Sequence, residues 1–254
     1  NTISRAQIPI SELTVALQCG GSDSYSGITS NPALGIASDM IVDNGGSTIL
    51  AETTEIYGAE HLLFERSVNK ENIIKIEKQI EWWKEYLSKN NSVLDNNPSP
   101  GNKKGGLTTI LEKSLGAVAK SGSRNMVDVL DYAEKLKIKG FNFMNSPGYD
   151  PVSVTGQVAS GANIICFTTG RGSCFGFKPS PSIKISSNTN MYNKLSEDMD
   201  INAGTIMDNQ NTLEDIGKEI FYNIIEVASG KKTKSEINEY GDDEFNPWII
   251  GATI

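Results

Sequence analysis

A cysteine and two glycines follow the first apolar segment of the chain. Residues 19–23 read Cys-Gly-Gly-Ser-Asp and come directly after the apolar segment 13–18. Adjacent glycines let the backbone approach a ligand closely, and their N–H groups can hold an anion. A thiolate at Cys19 could also bind a metal ion. The same pattern fits a tight turn that needs glycine for its backbone conformation, and the sequence leaves both interpretations open.

Two carboxylates, Glu52 and Glu55, follow the next predicted strand and stand near His61, the single histidine of the chain. They could bind a divalent metal ion or act as a general acid and base. Alternatively, Glu55 occupies the first turn of a capped helix, where its charge is favourable. For His61 we favour a purely helical position, because Tyr57, His61 and Glu65 share one polar helical face.

Two glycine-rich segments supply cations that could hold a substrate carboxylate. Residues 100–106 read Pro-Gly-Asn-Lys-Lys-Gly-Gly and precede a predicted helix, whose first N–H groups would add to the charge of Lys103 and Lys104. The spacing is not that of a P-loop. Arg171 lies between two glycines and is suited to bind a carboxylate through two hydrogen bonds. The alternatives are a solvated lysine pair and a surface ion pair.

A further polar segment lies late in the chain. Residues 198–204 read Asp-Met-Asp-Ile-Asn-Ala-Gly and offer carboxylates and an amide at close spacing. They could form a metal or polyol site, or a capped turn. Asp200 and Asn202 are the candidates from this segment.

The elements that position these residues alternate between strands and helices. The first strand, glycine-rich loop, helix and second strand have the order of a right-handed parallel βαβ unit. Ligands of such sheets bind at the carboxyl ends of the strands. We therefore predict an α/β fold, a Rossmann-like three-layer arrangement with a mostly parallel sheet. The predicted strands span residues 13–18, 47–51, 141–145, 163–169 and 183–186, and the predicted helices span 32–44, 69–90, 107–119, 125–138 and 212–230, with a short helix between 55 and 68 and a loop over 90–106.

Length, charge and cysteine content restrict the class of protein. The 254 residues contain neither internal repeats nor a dividing linker, so we predict one α/β domain over residues 1–254. The net charge of −8 argues against nucleic acid as a partner. No apolar run approaches the roughly 18 residues of a membrane span, and we expect no membrane association. The cysteines, 3 in number, are too few for a disulfide framework, which favours a reducing, cytoplasmic location.

Several ordered motifs carry a resemblance to a known family. They are Gln-Cys-Gly-Gly-Ser-Asp at 18–23, Ser-Gly at 26–27, Asn-Pro at 31–32, Glu52 and Glu55, Tyr-Gly-Ala-Glu-His at 57–61, Pro-Gly-Asn-Lys-Lys-Gly-Gly-Leu at 100–107, Glu-Lys at 112–113, Lys-Ser-Gly at 120–122, Thr-Thr-Gly-Arg-Gly-Ser at 168–173 and Met-Asp-Ile-Asn-Ala-Gly at 199–204. Together they resemble the carboxyl-terminal domain of the altronate dehydratase (altronate hydrolase) and galactarate dehydratase family. The resemblance covers residues 12–251, and segment 57–61 looks like the altronate branch.

The resemblance implies an iron(II)-activated lyase of sugar acids. Such an enzyme removes water from an aldonate such as D-altronate and gives a 2-keto-3-deoxy acid. Family members usually carry amino-terminal parts on the same chain or on a partner subunit. This chain is therefore expected to be the catalytic carboxyl-terminal domain of a longer or two-subunit dehydratase, with a possible homo-oligomer.

This reaction needs cations and a base, because a proton next to a carboxylate is barely acidic. We expect Cys19 and Glu55 to bind Fe2+ or another divalent metal ion, with Glu52 and Asp200 as the next candidates. The residues expected to bind substrate are Gly20, Gly21, Ser22, Asp23, Asn102, Lys103, Arg171 and Asn202, and the expected catalytic residues are Lys104, Lys113 and Glu112. Lys104 or Lys113 would be the base if burial lowered its pKa.

Other functions remain open at this point. A non-catalytic subunit could use the same loops to bind a sugar acid or to dock a catalytic partner. A sibling enzyme could act on galactarate, or could release sulfite from sulfolactate. Segment 57–61 favours altronate over the two sibling reactions, and the non-catalytic subunit stays open.

Overall fold

The computed structural model of the protein describes residues 6–94 and 98–251. Within them, parallel strands form one seven-stranded sheet with the order β3-β4-β2-β1-β5-β6-β7, which confirms the predicted α/β fold. The strands are β1 (Thr14–Cys19), β2 (Ser47–Leu50), β3 (Met126–Leu130), β4 (Phe141–Met144), β5 (Ile164–Thr169), β6 (Ser182–Ser186) and β7 (Ile201–Asn202). The helices are α1 (Ser30–Asp43), α2 (His61–Phe64), α3 (Lys70–Lys89), α4 (Pro100–Lys104), α5 (Ile110–Ala119), α6 (Asp150–Ser160), α7 (Thr189–Lys194), α8 (Leu213–Ala228) and α9 (Lys234–Ile237).

Helices cover both faces of the sheet, as its apolar strands require. The strands are buried on both sides, which is typical of parallel sheets and explains why they read as continuous apolar runs. Leu17 of β1 packs in one core with Leu34 of α1 and Ile220 of α8. Phe167 of β5 packs in the opposite core with Val154 of α6. No helix in the described parts of the chain is long and apolar enough to cross a membrane.

Strand β1 lies at the point where the order of the strands in the sheet reverses. From β1 the chain places β2, β4 and β3 on one side, and β5, β6 and β7 on the other. The carboxyl ends of β1 and β5 are adjacent, with Cys19 paired to Thr168. Open α/β sheets bind ligands in the crevice at such a reversal. The loops after β1, β2, β4 and β5 all lead to this edge of the sheet.

The predicted helix over residues 125–138 is wrong. Residues 126–130 form strand β3, which pairs with β4 and buries Met126 and Leu130. Val127 and Val129 favour an extended backbone, and pairing with β4 satisfies the backbone groups of the segment. These tertiary contacts outweigh the helical spacing of its apolar residues. Ala133 then adopts a positive φ of 60°, and the chain turns towards β4.

Two helices near the reversal differ from the predictions. Within the predicted loop over residues 90–106, α4 begins at a proline and is capped by Ser99 and Asn102 in a reciprocal capping box; residues 95–97 of that loop lie outside the described residues. Helix α6 was not predicted and begins at Asp150, directly before Pro151. The other predicted helices and strands are present, with bounds that differ by a few residues.

Candidate active site

Cys19, Glu52 and Glu55 meet at the carboxyl edge of the sheet. Cys19 ends β1, and the two glutamates follow β2. One ligand atom from each residue lies within 4.8 Å of the others, and all three side chains are buried. This is the one such group of histidine, cysteine and acidic residues in residues 6–94 and 98–251. A thiol with two carboxylates is a donor set that transition metals such as iron accept.

Two lysines from the α5 segment point into this group. Lys113 Nζ lies 2.6 Å from Glu55 Oε1, and Lys120 Nζ donates to Cys19 Sγ at 2.9 Å. The two lysines are seven positions apart, about two helical turns, so they lie on the same face of the helix. Lys120 is almost completely buried, at 1% exposure. Burial of a lysine at this depth requires the acidic partners that surround it.

Asp150 completes the group from the first turn of α6. Its Oδ1 accepts a hydrogen bond of 3.0 Å from Gln18 Nε2, which also donates to Glu52 Oε1 at 2.8 Å. We call Cys19, Glu52, Glu55, Lys113, Lys120 and Asp150 the polar cluster.

Glu52 is held in an unusual backbone conformation. Its φ of 75° and ψ of 74° are left-handed, although it is not glycine. Its backbone N–H donates to Ser146 Oγ at 2.9 Å, from the loop after β4. Its Oε2 is buried and has no hydrogen-bond partner among residues 6–94 and 98–251. Unpaired buried oxygens and left-handed non-glycine residues concentrate at functional sites, where a ligand completes the arrangement.

The electrostatics of the polar cluster favour an additional cation. Burial raises the pKa of Cys19 to about 11, and burial and the nearby Glu55 carboxylate raise the pKa of Asp150 to about 7 and that of Glu52 well above its usual range. Three carboxyl groups and one thiol face two ammonium groups. A divalent cation would bring the fully ionised group to zero net charge, because four negative charges would meet four positive ones.

Lys113 is not suited to the expected role of base. Burial alone would lower its pKa, but the Glu55 carboxylate and the neighbouring Cys19 and Glu52 raise the pKa above its usual value. A lysine in this setting stays protonated and can donate hydrogen bonds. Lys104, the other expected base, is exposed on α4.

Arg171 and α4 lie side by side at the rim of the crevice. The Arg171 guanidinium fills the space that a Cβ on Gly101 would occupy, so this glycine allows the two segments to approach. Gly21, with a φ of 63°, accepts hydrogen bonds from the N–H groups of Gly170 and Arg171 through its carbonyl. The loops after β1 and β5 are thereby joined. Arg171 and Lys103 are exposed, and with Lys104 they supply the expected cations.

Gly20 makes room for Asp150. A Cβ at position 20 would collide with Asp150 Oδ2 and with the ring of Phe167. The absence of a side chain is thus needed to hold a carboxylate of the polar cluster. The sequence had suggested only a backbone that approaches a ligand.

Three other expected substrate-binding residues build the loop around the crevice. Asp23 is buried and accepts hydrogen bonds from Ser26, Ser187 and Asn188. Asn102 Nδ2 donates to the carbonyl of Ser22 at 2.9 Å, which ties α4 to the loop after β1. These contacts occupy the polar atoms of Asp23 and Asn102 with structural partners.

The structure places the remaining candidates outside the polar cluster. Glu112 Oε2 accepts hydrogen bonds from the N–H and hydroxyl of Thr108, so Glu112 caps α5. Asn202 lies on β7 and caps the following turn through Gly204 N–H. Asp200 accepts from the N–H groups of Lys184 and Lys234. His61 is exposed at the start of α2.

A cavity of about 260 Å³ opens beside the polar cluster. Cys19 and Lys113 line its inner side, and Ser22, Ser26 and Glu112 line other parts of its wall. Hydroxyl groups and charges on the walls suit a small polar molecule.

Gln18, Lys120 and Asp150 were not among the expected site residues. Gln18 and Lys120 stand within motifs that carried the resemblance, and that position was a usable signal. Asp150 comes directly before Pro151 and after the strand 141–145, so a helix start at a strand end could have been recognised. That the side chains converge follows only from the strand order.

The chain is similar to known sugar-acid dehydratases. Residues 10–253 match the family model described as D-galactarate/altronate dehydratase, C-terminal. The chain is 44% identical to a galactarate dehydratase (L-threo-forming) of Escherichia coli K12 over 91% of its own length and 44% of the relative, and 42% identical to an altronate dehydratase of Bacillus subtilis 168 over 93% and 47%. It is 32% identical to the (2R)-sulfolactate sulfo-lyase subunit beta of Chromohalobacter salexigens over 92% and 61%. The chain spans less than half the length of these two dehydratases.

Proposed function

The chain belongs to the D-galactarate/altronate dehydratase family, whose carboxyl-terminal domain it matches, and on this premise we propose that it carries the reacting centre of a sugar-acid dehydratase. The observation that carries the proposal is the polar cluster, in which a thiol, carboxylates and two lysines meet at the strand reversal. The reaction removes water from an aldonate such as D-altronate and gives a 2-keto-3-deoxy acid.

Cys19, Glu52 and Glu55 would hold the metal ion. Their ligand atoms lie close enough together, and a divalent cation would balance the charge of the polar cluster. Glu52 Oε2 also lacks a hydrogen-bond partner in the part of the chain that the structure describes. The mixed thiolate and carboxylate set supports Fe2+ over Mg2+ or Ca2+, which prefer oxygen ligands alone. When bound, such an ion would polarise substrate oxygens as a Lewis acid. Asp200 is not part of this proposal, because it binds backbone N–H groups elsewhere.

Arg171, Lys103 and Lys104 would hold the substrate carboxylate. They lie on α4 and on the loop after β5, at the carboxyl edge of the sheet, and no acidic side chain is paired with Arg171 among the ion pairs of the described residues. A guanidinium binds a carboxylate through two parallel hydrogen bonds, which also fixes the orientation of the substrate. The exposed lysines add positive charge next to it.

Asp150 is the proposed base. Its pKa of about 7 allows a carboxylate to take a proton near neutral pH, whereas Lys113 stays protonated. In the reaction the proton next to the carboxylate leaves, the carbon–oxygen bond at the neighbouring carbon breaks, and the enol formed tautomerises. The proton that Asp150 accepts is then available for the departing hydroxyl, which leaves as water. Lys113, at the cavity wall, would donate a hydrogen bond to a substrate oxygen.

The lengths and names of the relatives support further polypeptide in the complete enzyme. The dehydratases are about twice as long as the matched region, and the sulfolactate enzyme is named as one subunit. We therefore propose that a further domain or a partner subunit contributes to the complete enzyme.

The cysteines are free thiols, and a metal-binding thiol at Cys19 supports the cytoplasm as the location.

A pair of cysteine variants tests the metal proposal. Thermal unfolding is measured without oxygen, with and without Fe2+, D-altronate and galactarate, and formation of a 2-keto acid is followed in parallel. A ligand that binds only the folded chain at 100 times its Kd stabilises it by about 2.7 kcal/mol. We expect Cys19→Ala to lose the rise in midpoint that Fe2+ gives.

Cys166→Ala is the matched control, because Cys166 is also buried at a strand but lies in the apolar core. It should lower the midpoint of the free chain and keep the Fe2+ effect. An unchanged Fe2+ effect in Cys19→Ala would contradict the proposed site. Release of sulfite from sulfolactate, without turnover of either sugar acid, would identify the sibling reaction instead.

A further inference from the structure

Gln18 lies at the centre of the site and has no role in the proposed chemistry. Its side chain is completely buried at the end of β1, one residue before Cys19. The amide nitrogen donates to Glu52 Oε1 at 2.8 Å, to Asp150 Oδ1 at 3.0 Å and to the Cys19 carbonyl at 3.3 Å. One NH2 group thus lies between two carboxylates that belong to different elements.

The orientation of the Gln18 amide is fixed from its other end. Ser153 Oγ, on α6, donates to Gln18 Oε1 at 3.2 Å. A flipped amide would place its oxygen against both carboxylates and its NH2 against the hydroxyl of Ser153. With the amide in the observed orientation, both carboxylates receive a donor.

These hydrogen bonds close into a ring. Ser146 Oγ accepts from the backbone N–H of Glu52 at 2.9 Å and lies within donating distance of Ser153 Oγ, at 3.2 Å, and of the Pro147 carbonyl, at 3.1 Å. The ring therefore runs from Glu52 N–H through Ser146, Ser153 and Gln18 back to the Glu52 carboxylate. We call these four residues the hydrogen-bond ring. It holds both the left-handed backbone of Glu52 and one of its two carboxylate oxygens.

We infer that Gln18 is a positioning residue for the metal ion: by occupying Glu52 Oε1, the hydrogen-bond ring directs the remaining oxygen, Glu52 Oε2, towards Cys19 and Glu55. This inference rests on the proposed function, because it assigns the free oxygen to the metal. Hydrogen-bond partners of metal ligands fix ligand orientation, and their loss typically weakens metal affinity by about 10- to 100-fold.

The chain contains a matched control for Gln18. Gln157, on α6, is also a completely buried glutamine, and its amide donates to the carbonyls of Ile49 and Leu17 and to no carboxylate. Methionine has nearly the shape of glutamine and cannot donate a hydrogen bond. Gln18→Met and Gln157→Met therefore remove the same group from two buried places, one inside the ring and one outside it.

The test measures the dissociation constant of Fe2+ for the full chain by anaerobic competition with a chelator, beside the thermal midpoint of the metal-free chain. We expect both variants to lower the midpoint. Gln18→Met should weaken Fe2+ binding by about 10- to 100-fold, and Gln157→Met should leave it within about twofold of the parent. Equal Fe2+ affinity in Gln18→Met and the parent would overturn the inference.

Ser153→Ala provides a second route to the same answer if Gln18→Met does not fold. It removes only the hydroxyl that orients the amide, so it should fold and weaken Fe2+ binding by a smaller factor. Unchanged affinity in Ser153→Ala would show that amide orientation does not matter. If the parent chain itself does not bind Fe2+, the proposed metal site is contradicted and the inference falls with it. If the parent, Gln18→Met and Ser153→Ala all bind Fe2+ equally tightly, the role of Gln18 is contradicted and the proposed metal site stands.

Discussion

The protonation of Asp150 makes the stability of the metal-free chain depend on pH. Burial raises its pKa from 3.8 to about 7. The folded chain therefore binds this proton more tightly than the unfolded chain, and the associated stability is present at low pH and lost as pH rises through about 7. Asn cannot ionise, but its side-chain oxygen can still accept from Gln18. Between pH 5 and pH 8 we expect the thermal midpoint of Asp150→Asn to fall less than that of the parent. Each kcal/mol of stability that the parent loses and the variant keeps corresponds to about 2–4 °C in midpoint.

Thermal unfolding of both chains across this range checks the prediction. Asp243→Asn is the control, because it makes the same replacement at an exposed carboxylate outside the polar cluster. Parallel profiles for Asp150→Asn and the parent would show that Asp150 is ionised throughout.

At the scale of residues, the sequence indicates which side chains could do chemistry but not which other residues they contact. Cys19 and Glu55 could be proposed together because both follow predicted strands whose carboxyl ends meet at one edge. The contribution of Lys120 could not be derived, since a lysine near the end of a helix is usually solvated. The role of Gly20 was also hidden, because the atom that needs its space belongs to Asp150, far away in sequence.

At the scale of elements, the approach of α5 to α1 sets the position of the two lysines. A Cβ on Gly35 of α1 would collide with the carbonyl of Ala119 at the end of α5. Gly35→Ala should therefore displace the segment that carries Lys120 and lower the free energy of unfolding by about 1–3 kcal/mol. A Cβ on Gly116, within α5, would lie 3.2 Å from the Cα of Gly27 and in ordinary contact with Gly27 N and Asn31 Nδ2. Because the contact is milder and alanine has the higher helix propensity, Gly116→Ala should cost clearly less than Gly35→Ala.

Denaturant unfolding of the two alanine variants compares them directly. A neutral Gly35→Ala would show that α1 and α5 can separate without cost.

The incorrect helix over residues 125–138 belongs to the same scale. The secondary structure of a short segment with mixed apolar spacing depends on what it pairs with, here β4, more than on local propensity. The long, strongly periodic α3 was predicted to within a residue at each end, because its pattern has no competitor.

At the scale of the whole molecule, one sheet connects all the parts of the site. Trp82 and Trp83 of α3 pack with Trp248, which stacks on Trp83 and meets Trp82 edge-on. Their fluorescence therefore reports one part of the fold, whereas circular dichroism reports all of it. We expect both signals to change at the same denaturant concentration, because the core is shared across the sheet. Two separate midpoints would divide the chain into independent units and contradict the single domain that the sequence predicts.

All groups of the polar cluster lie at the carboxyl ends of the strands, and this leaves the loops at the amino ends free to accept an inserted protein. The turn between α1 and β2, at Asn44 and Gly45, is exposed and lies beyond the far end of β2. Four residues of strand, about 13 Å, separate it from Glu52. A protein fused at this turn would leave the crevice open, so the turn is a place where the chain can carry a label while small molecules keep their access to the polar cluster.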